Sequence, residues 1–147
     1  MKTILLILMT VLTMDCVYSQ KIKESEVPAP VKAKFQSLHP EIKDINWLKL
    51  KKGGYEAEFT QNKLQFSVSI DSLGNLKETE MEMKVSELSK EIHEYVEKNY
   101  PGYSITEAAQ ITYVDGKPMY EAEITKGKES FDLLFDSSSK YVKKGHF

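Results

Sequence analysis

The side chains best placed to do chemistry in this sequence are glutamates that recur at every second position. They form two matching pairs and one longer run, at Glu56, Glu58, Glu121, Glu123, Glu78, Glu80 and Glu82. Alternate residues of a β-strand share one face and stand about 6–7 Å apart. Carboxylates at this spacing are compatible with calcium binding, acid–base catalysis or the docking of a partner. A solvated sheet face also normally carries charge, so we interpret these glutamates as an exposed face, with partner binding as the favoured functional role.

The remaining polar residues form no recognised catalytic or metal-binding pattern. The three histidines, His39, His93 and His146, lack a ligand spacing such as His-x-x-x-His. No serine lies in a Gly-x-Ser-x-Gly motif, and Gly53-Gly54 falls in a predicted hairpin turn rather than in a phosphate-binding loop. We therefore predict no catalytic residues, no metal site and no cofactor, and we do not expect an enzyme.

The charge of the chain argues against nucleic acid as its partner. The 147 residues include 20 lysines and no arginine, and the formal net charge is -2. Recognition of nucleic acids and phosphates leans on the bidentate guanidinium group of arginine. The sequence therefore does not predict a nucleic-acid-binding protein.

The glutamate pairs belong to a sequence unit that occurs twice. Tyr55-Glu56-Ala57-Glu58-Phe59 returns as Tyr120-Glu121-Ala122-Glu123-Ile124. Further equivalent pairs, at the same or a slightly shorter offset, are Phe66 and Phe131, Asp71 and Asp136, Val31 and Ile92, and Phe35 and Val96. Such self-similarity is typical of a duplicated structural unit. We predict a first repeat over residues 20–84 and a second over residues 85–147, packed together as one unit.

Each repeat is predicted to contain one helix followed by four antiparallel strands. Apolar residues at helical spacing indicate the helices, at Val27, Val31, Phe35 and Leu38, and at Leu88, Ile92 and Val96. Downstream of each helix the apolar period changes to two, although residues 105–109 stay unassigned. The apolar face of such a sheet must be buried, and the helices are the elements available to pack on it. We therefore predict an α+β fold, a two-layer sandwich with one open sheet face. Asp71 and Asp136 are predicted to stabilise turns rather than to bind calcium.

Residues 1–19 are predicted to be a signal peptide. Lys2 precedes an apolar run over residues 4–11, which is far shorter than the ~20 residues of a membrane span. Cleavage after Ser19 makes Gln20 the new N-terminus of a periplasmic or secreted protein with no stable membrane span. The alternative is a lipoprotein whose lipid anchor is attached to Cys16.

The repeat resembles a known family. The chain is similar to the PepSY-like periplasmic proteins of Gram-negative bacteria, whose fold is similar to that of the β-lactamase inhibitor protein. The resemblance extends from about Glu24 to Phe147. It rests on Val27-Pro28, Val31, Phe35, Pro40, Trp47, Tyr55-Glu56-Ala57-Glu58-Phe59, Asp71 and Gly74. The second copy departs from this pattern, with Ser89 at the position of Pro28 and Ser139 at that of Gly74. The resemblance implies a secreted binding or inhibitory module, and it offers no catalytic residues to transfer.

These observations together predict a non-enzymatic module that binds a protein partner in the bacterial envelope through the open sheet face. The candidate binding residues are the acidic rows and two possible aromatic anchors, namely Glu56, Glu58, Glu121, Glu123, Trp47 and Tyr113. The alternative is a sensor of a small ligand or of a cation, with calcium as the candidate cation, that uses the same acidic face.

Overall fold

The computed structural model describes residues 20–51 and 53–145, so the predicted signal peptide (1–19), Cys16 and His146 lie outside the described residues. In these residues, nine strands form one antiparallel sheet, and each strand pairs with the next one along the chain. The strands are β1 (Gln20–Ile22), β2 (Asn46–Lys49), β3 (Tyr55–Gln61), β4 (Leu64–Ile70), β5 (Leu76–Met83), β6 (Ser104–Tyr113), β7 (Pro118–Lys126), β8 (Glu129–Phe135) and β9 (Tyr141–Lys144). The helices are α1 (Ala29–Leu38) and α2 (Lys90–Asn99).

Proline residues mark the start of α1 and the ends of both helices, and a serine caps the start of α2. Helix α1 has Pro30 in its first turn, where a missing N–H leaves no intrahelical bond unmade. Helix α2 begins after Ser89, whose Oγ accepts a hydrogen bond from the Ile92 N–H at 3.3 Å. Each helix ends just before Pro40 or Pro101, since the residue preceding a proline disfavours helical backbone. Within the described residues, no helix has the length and apolar character needed to cross a membrane.

Both helices pack on the same face of the sheet, one on each repeat. The core of the first repeat includes Val31, Phe35, Ala57, Phe59 and Val68. The core of the second includes Ile92, Val96, Ala122, Ile124 and Leu133. Because neighbouring residues of a strand point to opposite faces, burial of Ala57 and Phe59 turns Glu56 and Glu58 away from the helices. The predicted α+β fold, with helices on one side of the sheet and an open second side, is confirmed.

Two parts of the sheet differ from the sequence-based expectation. Strand β1 adds a ninth strand by pairing with the outer edge of β2, and its three residues are too few to show a period of two. Strand β6 takes in the unassigned residues 105–109 and continues to Tyr113. A register shift between Ile105 and Glu107 absorbs the extra length of this strand, as β-bulges do.

The position of Trp47 corrects its assignment as a partner-binding anchor. Trp47 pairs with Ala57 across β2 and β3, so both side chains point towards helix α1. The indole is only 3% exposed and meets the Phe35 ring edge-on, with ring centroids 5.5 Å apart. Trp47 is therefore a core residue of the first repeat. A large aromatic side chain in this position stabilises the helix–sheet interface and is not accessible to a partner.

The repeated aspartates form turns, as predicted. Asp71 Oδ1 accepts hydrogen bonds from the backbone N–H groups of Leu73 and Asn75, at 3.0 and 2.9 Å. Asp136 Oδ1 likewise accepts hydrogen bonds from the backbone N–H groups of Ser138 and Lys140, at 2.8 and 3.0 Å. The two loops therefore share one side-chain-to-backbone arrangement, which closes the hairpins after β4 and β8.

Truncation of a core strand residue is expected to be far more damaging than a change on the open face. Phe59→Ala should lower the free energy of unfolding by about 3–5 kcal/mol, because its ring is 3% exposed and packs on Phe35. Glu123→Gln should change it by less than ~1 kcal/mol. Urea unfolding of both variants measures the difference. Equal losses would mean that the two faces of the strands had been assigned the wrong way round.

Acid is expected to remove the stabilisation that Asp71 gives to its turn. Hydrogen bonds from Asn75, together with the Lys77 ammonium at 3.0 Å, hold the pKa of Asp71 well below its usual value of 3.8. Because the folded-state pKa is the lower one, this stabilisation is present above about pH 4 and is lost as the pH falls further. Asp71→Ala should therefore lower stability at neutral pH and flatten the acid limb of the stability curve. Urea unfolding over a pH series measures both, and parallel acid limbs would contradict the assignment.

Candidate binding groove on the open sheet face

The first repeat places its glutamates in register with serines on the open face, which is the side of the sheet away from both helices. The cross-strand neighbours on β3, β4 and β5 are Glu58 with Ser67, Ser67 with Glu80, Glu56 with Ser69, and Ser69 with Glu78. Strand β4 therefore presents two small side chains between two strands that carry glutamates.

The second repeat continues this acidic surface. The neighbours on β5 to β8 are Glu82 with Ala109, Ala109 with Glu121, Glu107 with Glu123, and Glu123 with Asp132. Glu107 and Glu123 are direct cross-strand neighbours of like charge, an arrangement that is unfavourable for the sheet itself. The surface is therefore not arranged for stability alone.

These side chains line one open groove of about 850 Å³ that spans both repeats. The carboxylates in its lining are Glu56, Glu58, Glu80, Glu82, Glu107, Glu121, Glu123 and Asp132. Among the described residues that line it, the only positively charged one is Lys84. The structure thus brings together the four glutamates singled out from the sequence, Glu56, Glu58, Glu121 and Glu123, in a strongly negative depression.

Neighbouring polar groups orient two of these four glutamates. The Asn46 side-chain amide donates a hydrogen bond to Glu58 Oε2 across β2 and β3. The Thr106 hydroxyl donates to Glu123 Oε1 at 3.2 Å. Such bonds limit the conformations of the carboxylates without neutralising their charge. The groove therefore keeps its negative potential while part of its wall is fixed in place.

Tyr113 lies on the open face beside the groove and not in its lining. It is the cross-strand neighbour of Glu78 and is half-buried. Burial raises the pKa of Tyr113 well above its usual value, and the nearby negative charges of Glu78, Glu121 and Glu80 raise it further. The phenol therefore stays protonated and remains a hydrogen-bond donor among carboxylates. Of the two predicted aromatic anchors, Tyr113 is the one on the open face.

An apolar floor beneath the acidic side chains was missed by the sequence reasoning. Ile111 and Leu134 are completely buried and Ala109 is 5% exposed, although all three point to the open face. Their cross-strand neighbours include Glu80 for Ile111 and Glu121 for Leu134. The sequence run Leu133-Leu134-Phe135 could have predicted this floor. Three successive apolar residues in a strand place apolar side chains on both faces of the sheet.

The histidines and carboxylates do not assemble into a metal site in the described part of the chain. There, no three His, Cys, Asp or Glu side chains come close enough together to hold an ion. The His39 ring instead packs against Phe35 and Phe59 in tilted arrangements, with ring centroids 5.4 and 4.7 Å away. The His93 Nε2 atom lies 3.2 Å from the Val85 carbonyl oxygen.

Comparison with known proteins establishes the family. The sequence matches the family model described as "Putative beta-lactamase-inhibitor-like, PepSY-like" over residues 13–78 and 53–143. The two stretches together cover most of the chain, so the chain belongs to this PepSY-like family, and the resemblance seen in the sequence is confirmed. No match was found among curated proteins.

Solved structures from Bacteroides species share the fold. A DUF2874 family protein from Bacteroides uniformis is 15% identical with a TM-score of 0.67, over 80% of this chain and 87% of that one. One of the "putative periplasmic proteins" of Bacteroides eggerthii is 13% identical with a TM-score of 0.69, over 80% and 87% of the chains. A BLIP-like protein from Bacteroides fragilis is 18% identical with a TM-score of 0.62, over 80% and 84%. At these identities the similarity establishes the fold alone.

Mutual repulsion in the groove is expected to make the stability of the protein depend on salt. Crowded exposed carboxylates repel one another, and salt screens that repulsion over about 10 Å at 0.1 M. The wild-type melting temperature should therefore rise between low salt and 0.3 M sodium chloride. Changing Glu56, Glu58, Glu121 and Glu123 together to glutamine should reduce this rise. Thermal melts at several salt concentrations measure it, and an equal rise in both proteins would show that these carboxylates do not interact.

Proposed function

We propose that the protein is a non-enzymatic binding or inhibitory module of the bacterial envelope that holds a protein partner on its open sheet face. One observation carries this proposal: Glu56 and Glu58 of one repeat and Glu121 and Glu123 of the other line a single groove. In this proposal each of the repeats, 20–84 and 85–147, contributes half of the binding surface.

Charge complementarity indicates what the partner presents. Eight carboxylates against one lysine in the groove lining favour a surface rich in lysine or arginine. Ala108 and Ala109 are the alanines in the groove lining, where apolar parts of the partner can pack once the carboxylates have oriented it. Tyr113, at the margin of the groove, is the side chain best suited to serve as an aromatic anchor.

Two further observations support a binding role in the envelope. The predicted signal peptide over residues 1–19 and the description of the Bacteroides eggerthii structure both favour a periplasmic or secreted location. The family model carries the description of an inhibitor-like protein rather than of an enzyme. We accordingly assign no catalytic residue and no cofactor to the chain.

Binding kinetics of the wild-type protein and variants test this function. A partner is first isolated by pull-down from an envelope extract, and its association and dissociation rates are then measured at low and high salt. Changing Glu56, Glu58, Glu121 and Glu123 to glutamine should lower the association rate about tenfold at low salt, because exposed charges steer the encounter. The effect should shrink as salt rises. Tyr113→Ala should mainly speed dissociation.

A matched control removes the same charge elsewhere. Glu41, Glu91, Glu94 and Glu97 are exposed glutamates outside the groove lining, and their joint change to glutamine should leave the association rate nearly unaltered. Wild-type kinetics in the groove variant would refute binding through the open face. Loss of partner binding only after removal of calcium would instead favour the cation-sensor alternative.

A further inference from the structure

A second cavity, of about 680 Å³, lies at the end of the sheet where β1 separates from β2. The last pair between these strands joins Ile22 to Trp47, and the chain beyond β1 then forms a single 3₁₀ turn at Glu24–Glu26. The lining of the cavity comes from both faces of the sheet, because Asn46 and Glu58 lie on the open face and Trp47 on the helix side. We call this cavity the edge pocket.

Two buried polar atoms of residues that line the edge pocket have no hydrogen-bond partner in the described part of the chain. They are Oδ1 of Asn46 and Nε1 of Trp47. The Asn46 Nδ2 atom donates to Glu58 Oε2, which fixes the orientation of the amide and leaves Oδ1 as an available acceptor. The Trp47 side chain is 3% exposed, and its indole nitrogen can only donate. Because buried polar groups are normally hydrogen-bonded, an acceptor and a donor left over at one cavity indicate a ligand that supplies one of each.

The charges around the edge pocket favour a cation as the missing donor. The carboxylates in its lining are those of Glu24, Asp44 and Glu58. Among the described residues that line it, the only positively charged one is Lys21. Because the Asn46 amide is hydrogen-bonded to the Glu58 carboxylate, the two groups lie side by side, and one ammonium group can donate to both. A protonated amine therefore supplies the missing donor best.

We propose that the edge pocket binds the free amino terminus of a peptide. The α-ammonium group donates to Asn46 Oδ1 and to the Glu58 carboxylate, and the carbonyl oxygen of the first residue accepts from Trp47 Nε1. In an amino terminus the cation and the acceptor are held close together, because the ammonium nitrogen and the carbonyl carbon are bonded to the same Cα atom. A lysine side chain lacks the adjacent carbonyl group, and an internal peptide bond lacks the positive charge. Capture of a terminal amine is an established mode of peptide recognition.

The ligand has to reach atoms that are buried in the unliganded protein. The Trp47 ring stays in the core, out of reach of a protein surface, so only a chain end that enters the edge pocket can meet its Nε1 atom. Lys21, Thr60 and Gln65 line the pocket with exposed side chains, which change rotamer readily. We expect these side chains, and not the strands, to move aside on binding. A cavity of this size is in the range that holds small ligands.

The site is distinct from the function proposed above. The edge pocket adjoins the acidic groove through Glu58 and Gln65, which line both. Recognition of an amino terminus, however, depends on Asn46 and Trp47, and neither of these lines the groove. The two can therefore be tested separately.

The single tryptophan of the chain provides a direct measurement. Isotope-labelled protein gives one indole N–H signal, which reports on Trp47 alone. Tri-alanine amide is titrated at about pH 6.5, where an α-amino group with a pKa of ~7.7–8.0 is protonated. The indole signal should move downfield as Nε1–H gains an acceptor, and the side-chain amide signals of Asn46 should shift with it. The absence of any indole shift would overturn the proposal.

Two further compounds test which part of the ligand is recognised. N-acetyl tri-alanine amide is the same peptide without the charge, and Nα-acetyl-lysine amide carries an ammonium group without an adjacent carbonyl. Each should bind about tenfold more weakly than the free peptide, because a charged hydrogen bond or the match to both atoms is lost. Equal binding of the acetylated peptide would refute recognition of an amino terminus. Equal binding of the lysine derivative would show a general cation site instead.

Variants locate the binding. Asn46→Leu keeps the side-chain size but removes the acceptor, and it should weaken binding of tri-alanine amide about tenfold. Asn99→Leu makes the same change at an exposed residue at the end of α2 and should leave the affinity unaltered. Trp47→Phe removes the indole donor while keeping an aromatic ring in the core, and it should weaken binding about fivefold, followed by the Asn46 amide signals. Wild-type affinity in either pocket variant would overturn the proposal, and the function assigned to the groove would stand.

Discussion

The pairing of β5 with β6 is the contact on which the candidate binding surface depends. It joins the last strand of one repeat to the first strand of the other, and it makes Glu78 a neighbour of Tyr113, Glu80 of Ile111 and Glu82 of Ala109. The buried residues form two clusters, one beneath each helix. The groove needs both repeats, because its two acidic walls come from different repeats. Any change that separated β5 from β6 would therefore remove the groove.

The two repeats stabilise the same corner, where the helix begins beside the last hairpin, with different residues. In the first repeat, Gly74 has φ +88°, and a Cβ atom there would lie 2.9 Å from the Pro30 carbonyl oxygen, so only glycine fits. In the second, Ser139 adopts φ 62° and its Oγ lies 2.8 Å from the Oγ of Ser89, the helix cap. The two departures from the family pattern, at Ser89 and Ser139, are therefore partners in one hydrogen bond. The first repeat thus closes this corner by packing Gly74 against Pro30, and the second repeat closes it with the hydrogen bond between Ser139 and Ser89.

Local periodicity explains which parts of the structure could be predicted. The fold class, the two helices and the faces of Glu56, Glu58, Glu121 and Glu123 follow from apolar spacing, because burial of one face fixes the direction of every second side chain. Trp47 was misplaced because its neighbour Leu48 on β2 is also apolar, so alternation did not identify its face. The three residues of β1 carry no period. The convergence of the glutamates on one groove depends on the lateral order of strands, which no local pattern records.

The helix side of the sheet provides most of the apolar burial that stabilises the fold, whereas the open side provides little. This difference explains why the open side can carry so many acidic side chains. The helix side buries the apolar residues that hold the fold together, including Phe35, Phe59 and Ile124. The open side contributes little to that burial beyond the floor at Ile111 and Leu134. Its side chains are therefore free to take an arrangement that opposes stability, such as Glu107 directly beside Glu123. Like charges held together by the cores of two repeats store an unfavourable interaction, and under the proposed function a basic partner would relieve it on binding. The proposal thus assigns stability and recognition to opposite faces of the same strands.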